Sequence, residues 1–335
     1  MLRLTLVLLL VLLVPLFARG GDKPPLKAGI IGLDTSHVEA FTRSLNDPKA
    51  EGALARVRVV AAYPGGSPDI PASKNRLEGF TKTLRDKYHV EIVDSIDELL
   101  KKVDVVFLES VDGRPHLEQV RPVFKAKKPV FIDKPVAGSL ADAVEIYRLA
   151  KESGTPCFSS SSLRFSKGIR AVRGNPKFGD VLGCDAYSPC SLEPHHPDLF
   201  WYGIHGVEIL FTIMGPGCES VTRVQTENVE FVTGRWKDGR VGTFRGIHKG
   251  KEDYGATVFG TKGVGPSDGF TGYEPLAVEI CKFFESGKPP VTAEETLEIY
   301  AFMEAADESK RQGGKPVTLA SVLAHAREKS GAKSR

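Results

Sequence analysis

Between Lys27 and about Ser162, short apolar runs rich in β-branched residues alternate with amphipathic stretches of helical period. The runs occupy 28–32, 57–62, 90–93, 103–108 and 130–132, and the helical patterns include 77–88, 116–126 and 140–151. Alternation of this kind folds as right-handed βαβ units into a parallel sheet covered on both faces. Such sheets bind ligands at the carboxyl ends of their strands, so functional residues are sought at that edge. Helix starts carry their own marks: Ser36…Glu39 and Ser95…Glu98 have capping-box spacing, and Ser139 reads as an N-cap.

After the serine run 159–162 the pattern changes. Segments 181–188, 219–232, 240–248 and 255–260 read as strands joined by turns such as Lys237-Asp238-Gly239, and strands in succession imply a mostly antiparallel sheet. A helix is expected over about 200–214, ended by Gly215-Pro216. Two more close the chain, the last opened by Thr292 with Glu295 completing a capping box. A chain of 335 residues suits two domains rather than one small core. The expected division is 27–158 for the parallel α/β domain and 159–325 for the second.

Residues 1–20 differ from the rest. One arginine precedes an apolar run over 4–17, and Ala18-Arg19-Gly20 supplies small residues at the cleavage positions. This is the pattern of a secretory signal peptide, so the chain is expected to be exported, periplasmic or extracellular, with no stable membrane span after cleavage. The run is short for a span and carries Pro15. Net charge is +3 with the basic residues scattered, which argues against nucleic acid as a partner. Five cysteines at irregular spacing form no metal or redox motif and read as buried small hydrophobes.

Two places on the parallel sheet's ligand edge carry chemistry. The first follows the opening strand, where a dinucleotide-binding sheet has G-x-G-x-x-G and rests pyrophosphate on the next helix. Here the stretch is Gly32-Leu33-Asp34-Thr35-Ser36-His37, and only the first glycine remains. Asp34 and Glu39 place negative charge where an anion would sit. Asp34, Ser36 and His37 are open to three readings: a small polar site of their own in place of the phosphate cradle, helix capping, or contact with a cofactor. The second strand also ends without the acid that would hold a ribose; Ser67, Lys74 and Arg76 are open to a 2′-phosphate or to turn chemistry alone. The second place is Asp133-Lys134-Pro135. Pro135 fixes the backbone just after Lys134, holding a cation at the strand exit.

Lys134-Pro135 after the fifth strand, Gly203-Ile204-His205 on a later helix, His116 after the fourth strand and Gly260-Thr261-Lys262-Gly263 on a hairpin stand in an order that resembles the Gfo/Idh/MocA family. The likeness spans roughly 27–320. It implies a Rossmann-type domain followed by an α/β domain with a large open sheet, and NAD- or NADP-linked oxidation or reduction of a sugar or polyol. By that resemblance Lys134 binds the reacting hydroxyl and His205 moves its proton. Expected cofactor contacts are Gly32, Asp34, Thr35, Ser36 and His37, with Ser110 and His116 beyond the fourth strand. Trp201 stands where many members have an acid, and is open to core packing or to stacking on a sugar with Tyr202 beside it. Glu208, one turn from His205, is expected to orient the imidazole. The open sheet makes a homo-oligomer plausible by the same analogy.

The segment Glu193-Pro194-His195-His196-Pro197-Asp198 reads as a loop at the substrate rim rather than a metal site. Against the redox reading stand the altered loop and an exported location, where free nucleotide is scarce. The alternative is a carbohydrate-binding protein, lyase or hydrolase on the same scaffold.

Overall fold

The computed structural model describes residues 24–267 and 269–333. The signal peptide expected over 1–20 lies outside them. The chain runs β1 (Leu26–Ile31), α1 (Ser36–Leu45), β2 (Val57–Tyr63), α2 (Pro71–Tyr88), β3 (Glu91–Ile92), α3 (Ile96–Leu100), β4 (Val105–Leu108), α4 (His116–Lys125), β5 (Val130–Ile132), α5 (Leu140–Ser153) and β6 (Cys157–Ser159). These six strands form one parallel sheet in the order β3-β2-β1-β4-β5-β6.

Beyond two short helices and their partners, α6 (Lys167–Arg170), β7 (Val181–Pro189), α7 (Asp198–Trp201) and α8 (Ile204–Met214), come β8 (Cys218–Thr226), β9 (Val229–Trp236), β10 (Val241–Ile247), β11 (Gly255–Gly260) and β12 (Val264–Pro266). The chain closes with α9 (Glu274–Ser286), α10 (Ala293–Arg311), β13 (Val317–Thr318) and α11 (Leu319–Lys333). The second sheet has the order β12-β11-β7-β10-β9-β8-β13 and is antiparallel except between β7 and β10. The α/β class and both sheet types follow the sequence reading. No helix of the described residues is long and apolar enough to cross a membrane.

Several local readings shift. Segment 219–232 is two strands, split at Glu227-Asn228, and the helix expected over 200–214 is broken into α7 and α8 at Tyr202-Gly203. Three helices close the chain rather than two. Helix α1 has Thr35, not Ser36, at its cap, which puts Val38 rather than Glu39 at the capping-box position; Thr35 makes no side-chain cap bond, and Glu39 pairs with Lys87 at 3.0 Å. The other caps stand: Ser95, Ser139 and Thr292 each accept a backbone N–H three residues on.

Strand periodicity sends alternate residues of the first sheet to two cores. One face, with Ile31, Val106, Leu108 and Ile132, continues into the core beneath the second sheet. The other, with Ala28, Phe107, Phe131 and Phe158, is covered by α1 and by α9, more than a hundred residues downstream. Phe284 packs edge-on to Phe107 at 5.2 Å and Phe283 to Phe158 at 5.0 Å. Aromatic edge contacts add to the burial of these large rings.

Candidate active site

Strand β5 is fully buried, and its exit is fixed on three sides. The Asp133 carboxylate accepts the Lys134 N–H at 2.8 Å and lies 2.5 Å from Nδ1 of His37, in the first turn of α1. Val136 donates its N–H to the Tyr300 hydroxyl of α10 at 2.7 Å. The ammonium of Lys134 lies 5.5 Å from the centre of the Tyr202 ring, a cation–π contact. Burial pushes the Lys134 pKa down, against the pull of Asp133 and with help from Arg76.

His205 opens α8 and is 8% exposed. Its Nδ1 lies 2.8 Å from the Ser161 hydroxyl, and its ring meets Tyr202 at 5.1 Å and Tyr254 at 6.1 Å. Burial holds its pKa well below the usual histidine value, with the charges of Lys134 and His37 acting the same way. The imidazole is therefore neutral and ready to take a proton. Glu208 does not orient it. Its carboxylate accepts from Ser160 at 3.0 Å and from Arg164, which also reaches Glu295 at 2.7 Å. Ser161 holds the imidazole in place of Glu208.

These groups face one cavity of about 250 Å³. Thr35, Ser36, His37, Arg76 and Lys134 come to it from the first sheet's ligand edge. Trp201, Tyr202 and His205 come from α7, α8 and the break between them, and Tyr254 from the residue before β11, with Phe270 and Tyr273 completing an aromatic wall. His37 packs against Tyr273 with ring centres 4.6 Å apart and planes tilted by 59°, and its Nδ1 is engaged by Asp133, which leaves Nε2 as its other ring nitrogen. Of the residues expected from sequence, Lys134, His205, Thr35, Ser36, His37, Trp201 and Tyr202 meet here.

Gly32, Asp34, Ser110, His116 and Glu208 do not line this cavity. Gly32 has φ +89°, and a Cβ there would lie 2.3 Å from the Ser110 nitrogen, so its glycine serves strand packing. Ser110 donates to Gln119 at 2.9 Å. His116 is buried between the carbonyl oxygens of Ser110 and Val136, 2.9 and 3.2 Å away. Asp34 is buried, and its carboxylate accepts from the Ser73 hydroxyl at 2.6 Å and from the Val111 N–H at 2.9 Å. Burial raises its pKa against those bonds.

Asp34 belongs to a belt of polar contacts across the sheet edge. Ser67, after β2, donates to Asp112, after β4, at 2.6 Å. Arg114 bonds both Asp112 oxygens and, with two bonds of 2.9 Å, Asp69. His196 lies 3.1 Å from Asp112 and 2.9 Å from Glu193, so the rim loop docks onto this belt. Burial raises the Asp112 pKa less than His196, Arg114 and Ser67 lower it, and it ends well below the usual carboxylate range. A dinucleotide's pyrophosphate needs free N–H groups and no carboxylate at this edge, so the residues present do not fit one.

Sequence reasoning missed Ser161, Arg164, Tyr254, Phe270 and Tyr273. Ser161 alone carried a signal, since the serine run follows β6 at the same edge. The other four arrive through tertiary packing. No group of three metal-ligating side chains occurs among the described residues. All five cysteines are buried and unpaired.

Residues 26–161 match the sequence model of the Gfo/Idh/MocA oxidoreductase family, NAD-binding Rossmann fold. The match covers the parallel α/β domain and stops before the second sheet. The 2,7-anhydro-N-acetylneuraminate hydratase of Escherichia coli is 32% identical over 97 residues, 28% of this chain and 26% of that protein. The chain spans 26 to 40% of the length of the curated relatives it matches. Among solved structures, scyllo-inositol dehydrogenase from Lactobacillus casei with bound NAD(H) and scyllo-inositol has a TM-score of 0.71 at 14% identity, covering 88% of this chain and 99% of that one. The myo-inositol 2-dehydrogenase from Lactobacillus plantarum has a TM-score of 0.69 at 16% identity, with 88% and 99% covered. At such identities the likeness is one of fold, and it covers most of this chain.

Proposed function

We propose that this protein binds one sugar or polyol in the cavity and moves a proton at one of its carbon–oxygen centres. Lys134 holds the oxygen, and its positive charge stabilises negative charge developing there. Neutral His205, positioned by Ser161, takes or returns the proton. His37, held by Asp133, offers a second imidazole on the opposite wall. The aromatic side chains suit the C–H faces of a sugar ring. One observation carries this reading: a desolvated lysine at the exit of β5 and a desolvated histidine on α8 enter the same aromatic-walled cavity.

Calorimetric titration with inositols, aldohexoses and their keto derivatives tests it. At least one compound is expected to bind with a Kd below about 1 mM, and Lys134→Met and His205→Ala to weaken it at least about tenfold. Failure of the whole panel to bind, or unchanged affinity in both variants, sinks the reading. A second reading, oxidation or reduction of the same centre with NAD or NADP, is favoured by the family match over residues 26–161. Nucleotide binding decides between them.

A further inference from the structure

We propose that the adenosine–pyrophosphate path of this fold is closed by the protein's own chain, so that the crevice takes no dinucleotide. Strand β1 lies between β2 and β4, and a ligand at this switch point crosses the carboxyl end of β1. The loop after β2 runs over that end. Gly32 and Leu33 donate their N–H groups to the carbonyls of Tyr63 and Pro64 at 2.9 and 2.8 Å. A Cβ at Gly65 would sit 3.5 Å from the Gly32 Cα, so backbone rests on backbone with no room for phosphate between.

The same loop is then tied across β1 to the far side. The Ser67–Asp112 bond joins the loops after β2 and β4 directly. Asp34 joins the turn after β1 to α2 through Ser73 and to the β4 loop through Val111. Asp34 and Ser73 are fully buried and Asp112 is 1% exposed, so this is interior rather than a surface latch. The Arg114 guanidinium beside this path is already spent on Asp69 and Asp112. A dinucleotide would have to break buried bonds and place its phosphates beside two carboxylates. The open space of about 250 Å³ is below the roughly 300–1,000 Å³ of pockets for drug-sized ligands, and suits one small ring.

The test uses the full chain with NAD+, NADH, NADP+ and NADPH. Calorimetry and NADH fluorescence are expected to show no saturable binding up to about 1 mM. Hydrogen exchange is expected to show the amides of Gly32, Leu33 and Val111 protected, and unchanged when NADH is added. Saturable binding of any of the four nucleotides overturns the proposal. So does rapid exchange at those three amides, which would mean that the belt opens in solution. Sugar binding by the same protein is measured separately, so failure here leaves the proposed acid–base site standing, and the reverse also holds.

Discussion

Replacing Asp112 by asparagine removes one negative charge from the centre of the belt while keeping its shape. The carboxylate accepts from the Ser67 hydroxyl at 2.6 Å, from the Arg114 N–H at 2.9 Å, and from the guanidinium at 2.8 and 3.0 Å. Asparagine keeps one acceptor oxygen, and with its amide nitrogen in the Oδ1 position the bonds to that oxygen from the Arg114 backbone N–H at 2.9 Å and from Nε at 3.0 Å are lost. Bonds to charged groups contribute about 1.5–3 kcal/mol each. Arg114 is one-third exposed and also held by Asp69, which screens its share. The net loss is therefore about 2–3 kcal/mol at pH 7, lowering the thermal midpoint by about 4–10 °C. The pH dependence has a definite sign. A carboxyl whose folded pKa is depressed contributes fully above its ordinary value of 3.8 and loses that contribution as pH falls below it. Urea unfolding of wild type and Asp112→Asn from pH 7 to pH 3 is the assay. The gap is expected to stay constant to about pH 4 and then narrow. A variant within about 0.5 kcal/mol of wild type at pH 7, or a gap that widens with acid, refutes the belt as a stabilising unit.

Glu109 is fully buried, neither oxygen has a hydrogen-bond partner among the described residues, and burial, then Asp133 and Asp34, drives its pKa well above 4.5. It is a cost that grows as pH rises above that value, so Glu109→Met should flatten the fall in urea stability between pH 4 and pH 8; parallel slopes would contradict this. Tyr300→Phe leaves the buried Val136 N–H unpaired and should cost about 1–3 kcal/mol in unfolding experiments while weakening sugar binding through the turn after Lys134. An unaffected ligand affinity would show that the turn holds without it. With a sugar identified, His205→Ala should lower turnover by about 10²–10⁴. Because His205 is held neutral, wild-type turnover should show no acid limb at the ordinary histidine value of 6.5; a limb there that vanishes in the variant would assign His205 an unperturbed imidazole.

The strand order of the first sheet was legible because each buried strand is a compact β-branched run bounded by a helical pattern. Lys134 was legible because a charge and a proline end such a run at the ligand edge. The loss of two glycines after β1 was visible too, but not what replaced them: Ser73 and Val111 lie 39 and 77 residues from Asp34 in sequence. Glu208 shows the limit of helical spacing. One turn from His205, it faces Arg164 instead, because a buried carboxylate takes the strongest cation within reach. The break at Tyr202-Gly203 likewise set Trp201 on a separate helix from His205, beside the His196 ring at 5.0 Å.

Helix α9 bears on how this protein comes to exist in the first place. The stretch that carries the family likeness ends at residue 161, yet one face of its sheet is sealed by Leu276, Ile280, Phe283 and Phe284. During synthesis the parallel sheet therefore emerges with α1 alone over this face, and Phe107 and Phe158 wait more than a hundred further residues for Phe284 and Phe283. Until the distal helix arrives, that aromatic face is open to other nascent chains and to chaperones. A fragment cut after residue 161 would keep the same exposed face permanently, so the recognisable module and the folding unit are different lengths of chain.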